Sequence, residues 1–236
     1  MTKSKETPLI SDISVAEWDE QGPPILFPNP LIRKMLSLVD ARPSDVFYDL
    51  GSGWGQNLLI ALTEYQVREA VGIENDRERH AISLARLKRW GIPAERGRVI
   101  CASFEKVLSG KVKEVDAREA SIVFYGLATD RAILSSIERN MARGAKLVYY
   151  YKCLFPEIMP DRVDFPFFRS TVPFRRPKSQ YEWLSRVVGK GLSSIRPTRK
   201  PSLSELWDEL AHDYDVEGIE EATISEYRHR LGKVVG

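Results

Sequence analysis

Apolar positions along this chain fall into short runs separated by longer stripes of helical period. Residues 46–50, 69–74, 99–102, 121–125 and 146–151 are runs of four to six residues rich in Val, Ile, Phe and Tyr, the pattern of strands buried on both faces. The segments between them read as helices. Residues 31–39 put Leu31, Met35, Leu38 and Val39 on one side, and residues 56–64 carry Leu58, Leu59 and Leu62. Asp76 is placed to cap a helix over 77–90, with Ala81, Leu84, Ala85 and Leu87 as its apolar side and Gly91-Ile-Pro93 as its stop. A further helix spans 130–141 and ends near Gly144. Before the first helix, prolines 24, 28 and 30 predict an extended path.

Strands alternating with helices imply right-handed crossovers and an α/β, doubly wound, Rossmann-like sheet. After Lys152 the rhythm changes. Residues 165–174 and 181–188 read as two strands with no full helix between, a terminal β-hairpin that would complete a seven-strand sheet. The body then spans residues 31–188. Residues 1–30 form an N-terminal segment whose aromatics suit either a lid over a ligand or a surface loop with Trp18 packed on the body. Residues 189–201 form a linker rich in Gly, Ser, Pro and basic residues. In residues 202–236, Ser202 and Glu205 make a capping box before Leu203, Leu206, Trp207 and Leu210. A second helix from Val216 aligns Ile219, Thr223, Tyr227 and Leu231. The seam of this helical hairpin must be covered by the body or by another chain, so an oligomer through the tail is one expectation.

Composition narrows the class. At 43% hydrophobic and 29% charged residues, the 236-residue chain reads as a soluble globule. No apolar run approaches a membrane span, and the start is too polar for a signal peptide, so no membrane partner is expected. Cys101 and Cys153 offer neither a disulfide framework nor a metal spacing, which fits a reducing, cytoplasmic location. The net charge of +2 is unevenly spread. Residues 202–236 hold nine acids and three Lys/Arg, and removing that −6 leaves +8 on residues 1–201. Ten Lys/Arg fall between Arg162 and Lys200, against two acids, Asp164 and Glu182. That stretch suits nucleic acid or a nucleic-acid-bound protein; it equally suits a solvated basic face with an acidic helix folded over it.

The chemistry concentrates where the first strand ends, in Asp49-Leu-Gly51-Ser52-Gly53-Trp-Gly55-Gln56. Glycine accepts positive φ and lets a ligand lie against the backbone, and the helix that follows presents free N–H groups. A dinucleotide loop is G-x-G-x-x-G. Here the glycines alternate and an acid precedes them, which would repel pyrophosphate but suits a ligand carrying an ammonium and a sulfonium. The pattern D-x-G-x-G-x-G resembles motif I of the seven-strand S-adenosylmethionine-dependent methyltransferases, which makes S-adenosyl-L-methionine the expected cofactor.

Ligands of open α/β sheets bind beyond the carboxyl ends of the strands. That rule nominates the whole 49–56 loop, then Glu74 and Asn75, Ser103 and Phe104, and the tips near Tyr125 and Tyr150. Glu74 is placed to accept both ribose hydroxyls, or alternatively to sit as an acid at a helix N-terminus. Ser103 and Phe104 would face the adenine. Phe124-Tyr125-Gly126-Leu127 lacks the [DN]-P-P-[YFW] of adenine-N6 enzymes, and Cys153 lacks the neighbours of a cytosine-C5 nucleophile. His80, His212 and His229 all lie away from the strand tips, so an aromatic site that works by positioning an amine is expected.

The loop closed by Gln56, Phe27-Pro-x-Pro30 before the first helix, and Phe124-Tyr125-x-Leu resemble the non-SET protein lysine methyltransferases of the disruptor-of-telomeric-silencing type, archaeal relatives included. The resemblance covers residues 25–155. It implies cofactor binding by Asp49, Gly51, Gly53, Gln56 and Glu74, a lysine channel lined by Tyr125, and a protein substrate with an exposed lysine. The Asn-Asn-Phe of the eukaryotic members is absent, and the tail has no counterpart there. An RNA methyltransferase, and a non-catalytic module on the same fold, stay open as alternatives.

Overall fold

The computed structural model describes residues 27, 29–126, 131–150, 155–164, 166–179, 182–183 and 186–187. The expectations for the segment before Phe27, Leu127, Cys153, the linker and the tail hairpin lie outside the described residues.

Seven strands form one sheet. In chain order the elements are α1 (Asn29–Leu38), β1 (Val46–Leu50), α2 (Gln56–Thr63), β2 (Glu69–Glu74), α3 (Arg77–Arg89), β3 (Gly97–Cys101), α4 (Phe104–Leu108), β4 (Ile122–Tyr125), α5 (Arg131–Asn140), β5 (Lys146–Tyr150), β6 (Arg162–Asp164) and β7 (Phe167–Thr171). The spatial order is β3-β2-β1-β4-β5-β7-β6. The first five strands run parallel, and β7 joins β5 and β6 antiparallel. Order reverses between β1 and β4, which leaves a crevice at their carboxyl ends.

Every residue of β1 is buried, Asp49 included, because helices cover both faces of a central parallel strand. The strand tips are level: Leu50 pairs with Ile73 on one side and Tyr125 on the other, while Glu74 pairs with Cys101. No helix among the described residues is long and apolar enough to cross a membrane.

Three elements depart from the sequence reading. The hairpin comes earlier, at β6 and β7, and residues 182–183 and 186–187 are helical rather than extended. Trp183 and Val187 are both buried and stand four apart, one helical turn, so the apolar positions that suggested alternation also satisfy a helix. The first helix begins at Asn29 and takes Pro30 into its first turn, where a missing N–H costs nothing. On α3 the inward residues are Ser83 and Leu87, whereas Ala81, Leu84 and Ala85 are exposed.

Candidate cofactor and acceptor site

A cavity of about 280 Å³ opens at the carboxyl ends of β1 to β4. Its shape follows from the loop after β1. Gly51, Gly53 and Gly55 all have positive φ, and the N–H groups of Gly51 and Ser52 both donate to the Ile73 carbonyl, at 2.8 and 3.0 Å. The chain thus doubles back over the tip of β2. Two glycines permit this by close approach. A Cβ on Gly55 would strike the Ser83 hydroxyl of α3, and one on Gly72 would lie 2.5 Å from Ser52 Oγ and 2.7 Å from Leu58 Cδ1.

Glu74 latches the loop. Its Oε2 accepts from Gly53 N at 2.8 Å and its Oε1 from Asp76 N at 2.9 Å. A carboxylate offers about four lone-pair sites, so two remain for a ligand at the cavity wall. Asp49 is 1% exposed and lies behind the lining. Its Oδ2 accepts from Asn57 Nδ2 at 3.0 Å, while its buried Oδ1 has no hydrogen-bond partner. Burial pushes this carboxyl up to about 7; the Asn57 amide pulls the other way, and the nearby Glu74 charge adds to the rise.

Gln56 is held from two sides. Its Nε2 donates to Asn29 Oδ1 at 2.8 Å, and Arg86 Nη2 donates to its Oε1. Arg86 Nη1 also donates to the Trp54 carbonyl at 3.0 Å. Burial lowers the pKa of the Arg86 guanidinium. This relay ties α3, the glycine loop and the start of α1 together, and two residues before Asn29 stands Phe27.

Phe27 forms the far wall with Phe124 and Gly126. Its ring meets Phe124 at 5.6 Å and Tyr150 at 4.7 Å, both edge-on, and Phe167 at 5.6 Å. Phe104, at the start of α4 after β3, meets Tyr125 edge-on at 5.9 Å.

Residues 27–124 match the family model described as "Histone methylation protein DOT1". A protein of Saccharolobus islandicus (strain REY15A) named a protein-lysine N-methyltransferase is 29% identical over 123 residues, 51% of this chain and 71% of its own. A crystal structure of an RNA methyltransferase from Salinibacter ruber, in complex with S-adenosyl-L-homocysteine, superposes with a TM-score of 0.54. It is 25% identical and covers 66% of this chain and 99% of its own. The chain is an S-adenosylmethionine-dependent methyltransferase. Over residues 27–124 it is DOT1-like.

The residues present fit the cofactor. Glu74, with lone pairs to spare, would hold the ribose and the ring of Phe104 the adenine, while the Asp49 carboxyl stands buried behind the same end of β1. Of the residues expected from the sequence, Gly51, Ser52, Gly53, Gln56, Glu74, Asn75, Ser103 and Phe104 come together on the cavity wall. Asp49 and Gly55 support it from behind. Tyr125 does not reach the wall. It is buried between Phe104 and Phe155, because alternation along β4 turns Phe124 rather than its neighbour toward the cavity. His80 is likewise off the wall, its Nε2 lying 3.0 Å from the Val99 carbonyl.

Four further lining residues were missed: Asn57, Ile73, Arg79 and Phe124. Asn57 alone left a readable signal, as an amide inside an otherwise apolar helix, Asn57-Leu-Leu-Ile-Ala-Leu.

Proposed function

We propose that this methyltransferase methylates the ε-amine of lysine side chains in proteins. The observation that carries the reading is the aromatic wall at the tip of β4, where Phe27 and Phe124 meet edge-on and line the cavity that Glu74 and Phe104 also line. When bound, S-adenosylmethionine supplies an electrophilic methyl group on a sulfonium. The chain's own residues then have two tasks. Aromatic rings attract a lysine ammonium by cation–π contact, worth about 0.5–2 kcal/mol. The same apolar wall excludes water and disfavours the charged amine, easing the proton loss that must precede attack. Positioning supplies the remainder.

The DOT1 family model and the named lysine methyltransferase of Saccharolobus support this acceptor. The excess of +8 on residues 1–201 suits a substrate protein associated with nucleic acid. The absence of a cysteine framework in the sequence suits cytoplasmic work.

A second reading, methylation of RNA, is favoured by the Salinibacter structure. Against it, four of the six described Lys/Arg of the basic stretch are paired with acids. Arg162 pairs with Asp40, Arg169 with Asp161, Arg175 with Glu182 and Arg176 with Glu138. Incubation with radiolabelled S-adenosylmethionine and whole-cell extract, followed by separation of protein, RNA and small molecules, tests both. The expected result is label in protein, recovered as ε-N-methyllysine after acid hydrolysis. Label in RNA alone would overturn the lysine reading.

A further inference from the structure

Helix α2 is buried on every side from Gln56 to Leu62, so a polar side chain within it needs a reason. Asn57 sits in the first turn of that helix and is 9% exposed. Its Nδ2 donates to Asp49 Oδ2 at 3.0 Å. Its Oδ1 has no hydrogen-bond partner among the described residues, and Asn57 lines the cavity that Asp49 does not reach. Because the amide nitrogen donates inward to Asp49, the amide oxygen is turned toward the cavity. An amide oxygen held at the cavity wall in this way is a site waiting for a donor.

Position names the donor. Glu74 and Phe104, beyond β2 and β3, are matched to the ribose and adenine, and Phe27 and Phe124 wall the other end. Asn57 stands between them at the tip of β1, where the amino-acid part of the cofactor must run. A cation bound there would in turn favour the ionised form of the Asp49 carboxyl directly behind the amide.

We propose that Asn57 is a cofactor-binding residue whose Oδ1 accepts a hydrogen bond from the ammonium group of S-adenosylmethionine, and that Asp49 acts through it as a positioning residue. This rests on the cofactor and is independent of the acceptor, since binding is measured without one.

The test is calorimetry on the full chain with two ligands: S-adenosyl-L-homocysteine, which carries the ammonium, and 5′-methylthioadenosine, which keeps the nucleoside and sulfur but lacks the amino-acid group. Asn57→Val should weaken S-adenosyl-L-homocysteine about tenfold to a hundredfold, the scale of a hydrogen bond to a charged group, and leave 5′-methylthioadenosine within about twofold. Retained binding of the second ligand also certifies the fold. Should Asn57→Val fail to fold, Asn57→Ser, which is too short to span from Asp49 to the cavity, is measured in the same way and should show the same split. An equal loss for both ligands, or an unchanged affinity for S-adenosyl-L-homocysteine, would overturn the assignment.

Discussion

Asp49 is a carboxyl that the fold holds against its own preference. It is buried in a central strand with one oxygen lacking a partner, so its charged form is costly. The direction of the pH effect follows. Below about pH 4 folded and unfolded chains both keep this proton; between about 4 and about 7 only the folded chain does. Stability contributed by the group is therefore lost as pH rises through that window. Asp49→Asn carries no such slope, so its melting temperature without ligand should gain on the parent protein's as pH climbs from about 5 to about 8. Parallel curves would show that the carboxyl is not buried as described. Glu74 has the opposite character, each oxygen already holding a backbone N–H. Glu74→Gln can satisfy only one of the two and turns a donor on the other. It should lower stability by about 1–3 kcal/mol in denaturant titration and weaken S-adenosyl-L-homocysteine in the same variant. The acid and glycines of this loop were legible in the sequence because their chemistry is local. That Asp49 stands behind Asn57, and Tyr125 behind the wall that Phe124 forms, depends on which face each side chain takes, and a run apolar at every position does not encode that.

At the scale of elements, α1 owes its place to the relay from Arg86 through Gln56 to Asn29. Gln56 was read as a cofactor ligand; both ends of its amide are engaged by protein, so bracing α1 is a task it performs whatever it gives a ligand. Arg86→Ala leaves the Trp54 carbonyl and the Gln56 amide without their donor. The expected cost is about 1–3 kcal/mol, with faster hydrogen exchange across α1 and the 51–56 loop than across β5. Uniform acceleration through the whole sheet would instead mark Arg86 as a general core residue. The parallel strands and their helices were readable because burial on both faces leaves an apolar run that few other environments tolerate. The inward face of α3 was not. Ser83 points inward because Gly55 must come within touching distance of it, and a small residue at a close approach carries no hydrophobic signal. Nor was the hairpin placed correctly, since Trp183 and Val187 fit either period.

Across the whole molecule, strand order divides the cavity. β3 and β2 bring Phe104 and Glu74 to one end, and β4 brings Phe124 to the other. The antiparallel strand β7 then does more than close the sheet: its Phe167 backs Phe27 at 5.6 Å and Phe124 at 6.2 Å, so the hairpin props the wall of Phe27 and Phe124. If the two ends serve two ligands, their substitutions should dissociate. Phe104→Ala removes a ring from the adenine end and should weaken S-adenosyl-L-homocysteine about tenfold, the scale of base–aromatic stacking, with the acceptor KM near that of the parent at saturating cofactor. Phe27→Leu keeps most of the side-chain volume and removes only the ring. It should raise the acceptor KM roughly twofold to thirtyfold, the range of a cation–π contact, and leave cofactor affinity within about twofold. The acceptor for both measurements is the protein identified by labelling. If Phe27→Leu instead weakened the cofactor and spared the acceptor, the wall would belong to the cofactor's methionine arm, and the lysine would have to enter from another side.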